Sequence, residues 1–174
     1  MIREIITYPD KRLYQQSKKV ENFDKELHQL LDDMYETMIA KNGIGLAAIQ
    51  IAVPLNALLI LLPDENDEQK KENLHEVINP KIIEKKGSIV YQEGCLSVPD
   101  YYDDVKRADW IAVEYFDRNG NKIVKECNEL LAVAFQHEMD HLQGHLFIER
   151  LSYLKRKKFE KEWKKKQRAK KKQS

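Results

Sequence analysis

The chain has 174 residues, of which 42% are hydrophobic and 34% charged, with a net charge of +1 and two cysteines. That length and balance fit one globular unit with one core, and two cysteines are too few for a disulfide framework, so a reducing cytoplasm suits them. The most apolar run, Ala57 to Leu62, is far too short to span a membrane, and Met1 to Thr7 carry an acid and a base early, unlike a signal peptide.

The small net charge hides an asymmetry. Residues 155–172 hold 12 Lys/Arg against two Glu, a local +10, while the other 18 basic and 27 acidic side chains leave −9. The division expected is a body over residues 1–154 and a basic helical extension of it over residues 155–174. An acidic body with a basic end suggests a polyanionic partner at that end.

Residues 1–23 read as irregular, with a turn at Tyr8-Pro9-Asp10 and a short helical turn after it. Asp24 is an N-cap, and Leu27, Leu30, Leu31, Met34 and Met38 recur at three and four residues, an amphipathic helix ending at Asn42-Gly43. Gly43-Ile44-Gly45-Leu46-Ala47-Ala48-Ile49-Gln50 follows a helix and lacks a third glycine, so it is no dinucleotide fingerprint. It reads either as a strand whose free edge faces a ligand or as a tight turn into a core strand.

Val53 to Leu62 is expected as a central strand and Pro63 to Asn73 as a surface loop. Val77-Ile78 and Ile82-Ile83 flank Asn79-Pro80, and Gly87 marks another turn. Val105 and the run Ile111 to Phe116 read as strands, and Asp117-Arg118-Asn119-Gly120 is a hairpin signal with Lys122-Ile123-Val124 returning. Helical spacing resumes at Asn128 and ends at Gly144, and a last helix starts near Ser152. Leu151, Leu154, Phe159 and Trp163 are expected to dock its first turns. The order implies an α+β fold, with mixed or antiparallel strands around a central helix and a helix at each end.

The chemistry centres on His137-Glu138-Met139-Asp140-His141, an H-E-x-x-H pattern. Residues four apart lie one turn apart on a helix face, so His137 and His141 can present two imidazoles to one metal, with Glu138 as base. The plain alternative is an amphipathic helix with two polar histidines. A downstream ligand would need His at position 147, where Phe147 stands. Upstream, Glu93-Gly94-Cys95-Leu96-Ser97-Val98-Pro99 puts a cysteine on a bent segment. As a thiolate, Cys95 completes a Cys-His-His set with an open fourth place, and otherwise it is a buried apolar thiol. Cys127 has no motif around it.

Together, these three motifs resemble the peptide deformylase family over essentially the whole chain, in its bacterial form with a helical C-terminus. The resemblance implies removal of the formyl group from the N-terminal formylmethionine of nascent polypeptides. It implies Cys95, His137 and His141 as ligands of a divalent metal ion. The family uses Fe²⁺ and is also active with Ni²⁺ or Co²⁺, while Zn²⁺ binds but supports the reaction poorly. Glu138 would be the general base and acid, with the Gln50 amide and the Leu96 N–H donating to the formyl oxygen. Ile44, Gly45 and Gly94 would bind the peptide backbone. Gly43, Ile44, Glu93, Val133, Ala134 and His137 would line the methionine pocket, with Glu93 paired to Arg107.

Many members carry Arg at the position of Tyr102, where Tyr101-Tyr102-Asp103-Asp104 instead offers aromatic and acidic groups. The basic extension would contact the ribosome through its RNA and proteins, with no membrane association, in a cytoplasmic monomer. The rival readings are a metal-dependent endopeptidase and a ribosome-associated RNA-binding module with a vestigial site.

Overall fold

A computed structural model describes residues 1–173. Helix α1 (Lys25–Ala40) starts at Asp24, whose side chain accepts from the Leu27 N–H at 3.0 Å. The positions expected to face inward, Leu27, Leu30, Leu31, Met34 and Met38, are all buried. Strand β1 (Gly45–Ala47) follows, and a 3₁₀ turn (Ala48–Ile51) leads on to β2 (Ala57–Ile60). The expected strand over residues 53–62 is thus shorter, because the chain turns through Ala52 (φ 64°), where the Val53 N–H bonds back to the Ala48 carbonyl.

Strands β3 (His75–Lys86), β6 (Trp110–Phe116) and β7 (Lys122–Asn128) complete an antiparallel sheet in the order β1-β2-β3-β6-β7. Asn79-Pro80 does not separate two strands. The ladder shifts register there and β3 continues, with the Asn79 side chain tied to Val20 by two hydrogen bonds of 2.9 Å. A bulge absorbs the proline that a regular ladder would reject. The β6–β7 hairpin turns at Asp117 to Asn121 as expected.

Helix α2 (Glu129–Leu142) and α1 cover opposite faces of this sheet. Alternation along β2 shows it: Ala57 and Leu59 pack in the cluster with α1, while Leu58 and Ile60 pack in the cluster with α2. Burial on both faces explains why β2 has no polar face to reveal its period.

The second sheet is a hairpin, β4 (Ile89–Cys95) and β5 (Val98–Arg107), joined by the two-residue turn Leu96-Ser97. It holds a third core with Ile6, Leu13, Phe147 and Leu151, onto which α3 (Tyr153–Gln173) docks. Phe159 is 2% exposed and Trp163 packs beside it, but Leu154 is 79% exposed and takes no part in the docking. Only one face of α3 is covered, and Leu154 lies off that face. Among the described residues, no helix is long and apolar enough to cross a membrane.

Candidate metal centre and active site

Three elements converge. Helix α2 brings His137, Glu138 and His141; the end of β4 brings Glu93, Gly94 and Cys95, with Leu96 in the turn; β1 and its 3₁₀ turn bring Gly45 and Gln50. Every expected site residue except His141 lines one cavity of about 490 Å³. His141 lies behind it, fully buried, with Nε2 3.5 Å from the Cys95 Sγ. Potential donor atoms of Cys95, His137 and His141 lie within 4.8 Å of one another.

The orientation of each donor has a cause. His137 Nδ1 lies 2.7 Å from Glu93 Oε1, which turns Nε2 towards the cysteine. Glu93 is held in turn by Arg107, whose Nε and Nη2 donate to its two oxygens at 2.9 Å. The third arm of Arg107 donates to Asp140 at 2.6 Å, and Arg150 completes the set on Asp140. Both Arg107 and Glu93 are buried, so this is an interior ion pair rather than a surface one. Burial works against the charge on Glu93, but Arg107 and His137 outweigh it and hold the carboxyl below its ordinary range. Beside His137, Gln136 clamps α2 to the chain after β5 by exchanging hydrogen bonds with Ala108.

The remaining groups are neutral or unsatisfied. Burial, with the neighbouring His137, holds the His141 pKa down to about 3, so its imidazole carries a free lone pair. Burial pushes the Glu138 carboxyl up to about 7. Glu138 Oε2 and His141 Nδ1 are buried with no hydrogen-bond partner. Such orphaned atoms are uncommon in a folded interior; Ser17 Oγ and Asn56 Oδ1 are orphaned elsewhere, while these two belong to residues at the Cys95, His137 and His141 cluster.

Gly45 leaves room for Glu138. A Cβ on Gly45 would stand 3.0 Å from the Glu138 carboxyl carbon. β1 is an edge strand, and because the Ile44 carbonyl accepts from the Leu61 N–H, the next carbonyl, of Gly45, points off the open edge. The glycine segment thus forms a short strand with one free edge, and the 3₁₀ turn Ala48–Ile51 after it leads the chain on towards buried β2.

A family model for polypeptide deformylase matches residues 2–157. The chain belongs to the peptide deformylase family. It is 62% identical over 164 residues to the peptide deformylase of Nautilia profundicola, covering 94% of each chain. It is 59% identical over 167 residues to that of Campylobacter jejuni, covering 95% of each. Among solved structures, the peptide deformylase of Legionella pneumophila superposes with a TM-score of 0.88 at 40% identity, covering 98% of each chain. That of Ehrlichia chaffeensis in complex with actinonin gives 0.86 at 42%, covering 96% of this chain and 98% of the other. The protein is thus an enzyme of a metal-dependent family that removes the formyl group from N-terminal methionine.

Sequence reasoning missed some of the surroundings. Leu130 also lines the cavity, and its place three and four residues before Val133 and Ala134 on one helix face could have found it. Tyr91 and Pro99 line it too, without any such periodic signal.

Proposed function

We propose that this enzyme hydrolyses the formyl amide of N-formylmethionyl peptides through Glu138, at a divalent metal held by Cys95, His137 and His141. The observation that carries this is the buried, unpartnered carboxylate oxygen of Glu138 beside three soft and borderline donors. The residues fit a metal. One thiol and two imidazoles suit a divalent transition ion, and Glu93 on Nδ1 leaves His137 Nε2 for the site. Fe²⁺ is the native ion proposed. A divalent cation bound there supplies a Lewis acid and lowers the pKa of a coordinated water.

The chain's own groups do the rest. Glu138 takes a proton from the attacking water and returns it to the leaving amine nitrogen. The Gln50 Nε2–H and Leu96 N–H donate to the formyl oxygen as the carbon becomes tetrahedral; one such donor is worth about 3–4 kcal/mol. The open edge at Ile44 and Gly45, with Gly94 opposite, takes the peptide as an added strand. The methionine side chain enters between Val133, Ala134, Gly43, Ile44, Glu93 and His137.

Release of formate from formyl-Met-Ala-Ser, with no internal cleavage, is the expected result and separates this reading from an endopeptidase. Glu138→Ala should abolish turnover while metal stays bound, and an active variant would refute the mechanism. Activity of anaerobically purified protein should follow its iron content and fall in air as the iron or Cys95 oxidises.

We further propose that residues 1–154 form the catalytic body of a cytoplasmic monomer and that residues 155–174 extend it towards ribosomal RNA. Beyond Trp163 the exposed side chains of α3 include Lys164, Lys165, Arg168, Lys170 and Lys172. Phosphate contacts by such residues weaken steeply with salt. Deleting residues 164–174 should weaken ribosome binding and leave hydrolysis of a short peptide unchanged; equal ribosome affinity would exclude the reading.

A further inference from the structure

We infer that Ser97 is a positioning residue for Gln50, fixing the direction in which its side-chain amide donates; this rests on Gln50 being a donor to the formyl oxygen.

Ser97 is the second residue of the turn after Cys95 and is fully buried, an unusual place for a hydroxyl. Its Oγ accepts from Gln50 Nε2 at 3.0 Å. The other end of the same amide is also occupied, since Gln50 Oε1 accepts from the Ala47 N–H at 2.9 Å. A backbone N–H can only donate, so this bond identifies the oxygen and turns the NH₂ group towards Cys95 and Ser97. Gln50 Nε2 then sits 3.5 Å from the Cys95 Sγ.

The two protons of a planar NH₂ group point about 120° apart, so holding one sets the direction of the other. Ser97 takes the first. The second goes to the Cys95 Sγ, a weak acceptor at 3.5 Å, on the side where Gln50 lines the cavity and a formyl oxygen would compete for it. Without the Ser97 acceptor, the amide can rock about its last torsion, which is broad for glutamine. It cannot simply flip, because Oε1 would lose the Ala47 N–H and face the cysteine sulfur.

The backbone does not depend on this bond. The Ile6 N–H donates to the Gln50 carbonyl at 2.8 Å and the Tyr8 N–H to the Ser97 carbonyl at 2.7 Å. The N-terminal segment thus splints both turns, and Ser97→Ala removes an acceptor while leaving the scaffold tied.

The experiment is a double-mutant cycle on the metal-loaded enzyme, with metal content measured for each variant. Gln50→Ala should lower kcat by about 10²–10³-fold, as loss of an oxyanion donor does, and Ser97→Ala by about tenfold with KM within about twofold. In the Gln50→Ala background, Ser97→Ala should cost nothing further. As a readout independent of turnover, one Gln50 side-chain N–H resonance of the metal-free protein should move towards the free-amide position in Ser97→Ala. An equal kcat loss in both backgrounds, or an unmoved resonance, would overturn the inference by making Ser97 merely structural. A normal kcat in Gln50→Ala would instead remove the donor role on which it rests. If Ser97→Ala fails to fold, Ser97→Cys, similar in size and a weaker acceptor, is read in the same cycle against the same outcomes.

Discussion

Glu93 Oε1 lies 2.7 Å from His137 Nδ1 while both Glu93 oxygens accept from Arg107. One carboxylate therefore orients a candidate metal ligand and neutralises a buried guanidinium. Glu93→Gln should weaken metal binding about 10–100-fold, the usual cost of removing a partner of a ligating histidine. Competition with a chelator measures it, and unchanged affinity would reduce Glu93 to a strut. Arg107→Ala should cost about 3–5 kcal/mol of stability, because it strips the buried Glu93 carboxylate of its one cationic partner of fixed charge among the described residues, while Asp140 keeps Arg150. Chemical denaturation of the metal-free protein isolates that loss.

Gly45 makes a second test possible without touching a titratable group. The Glu138 carboxyl packs against the bare Cα of Gly45, with the carboxyl carbon 3.0 Å from where a Cβ would stand. Gly45→Ala should push that carboxyl back by a few tenths of an ångström and lower kcat by about tenfold, less than the ~10²-fold that a misplacement of about 1 Å can cost. Metal content should stay at one ion per chain. A fully active Gly45→Ala variant would show that Glu138 has slack in its position.

Tyr102 packs its ring against the bare Cα of Gly94, in the space a Cβ there would fill, and is 64% exposed at the cavity rim. It offers an apolar shelf at that rim. Tyr102→Ala should raise KM for formylated tripeptides about fivefold, equivalent to about 1 kcal/mol, and leave formylmethionine amide unaffected. Steady-state kinetics on the two substrates decide it; equal effects on both would move the role of Tyr102 to the methionine site.

The docking of α3 should be sensitive to alkali. Burial, helped by Asp103, pushes the Tyr101 hydroxyl up to about 12 from its ordinary 10.0. Its ring lies 4.7 Å from that of Phe159 on α3. With the folded pKa above the unfolded one, the folded state holds the extra proton in this interval, so stability falls as pH rises from 10.0 to about 12. Tyr101→Phe should flatten that fall in urea midpoint. A variant with the same slope as the wild type would exclude Tyr101 as a source.

Several parts of this molecule follow from the sequence alone, and each is local. Asp24 and the Leu27 to Met38 spacing specify α1, and the spacing from Asn128 to Gly144 specifies α2 with both histidines on one face. Asp117 to Gly120 specifies the β6–β7 hairpin. Caps, turns and periodicity act over a few residues, so they can be read without knowing what lies across the core. His137, Glu138 and His141 were also legible through their spacing, with Cys95 as a candidate third donor, whereas the oxyanion donors and the methionine pocket were implied only by the resemblance to the family.

Tertiary structure alone decided the rest. The β4–β5 hairpin exposes residues on both faces, so it shows no alternating pattern, yet it delivers Cys95 to α2. Asn79-Pro80 reads locally as a break, but a bulge and the side-chain bonds to Val20 carry β3 through it. Leu154 has the apolarity for docking, and only the helix phase set by Phe159 and Trp163 turns it to solvent. The bonds from Glu93 to His137 and from Gln50 to Ser97 join residues 44 and 47 positions apart. Contacts at that separation depend on how sheets and helices stack, and no short-range preference of the chain encodes them.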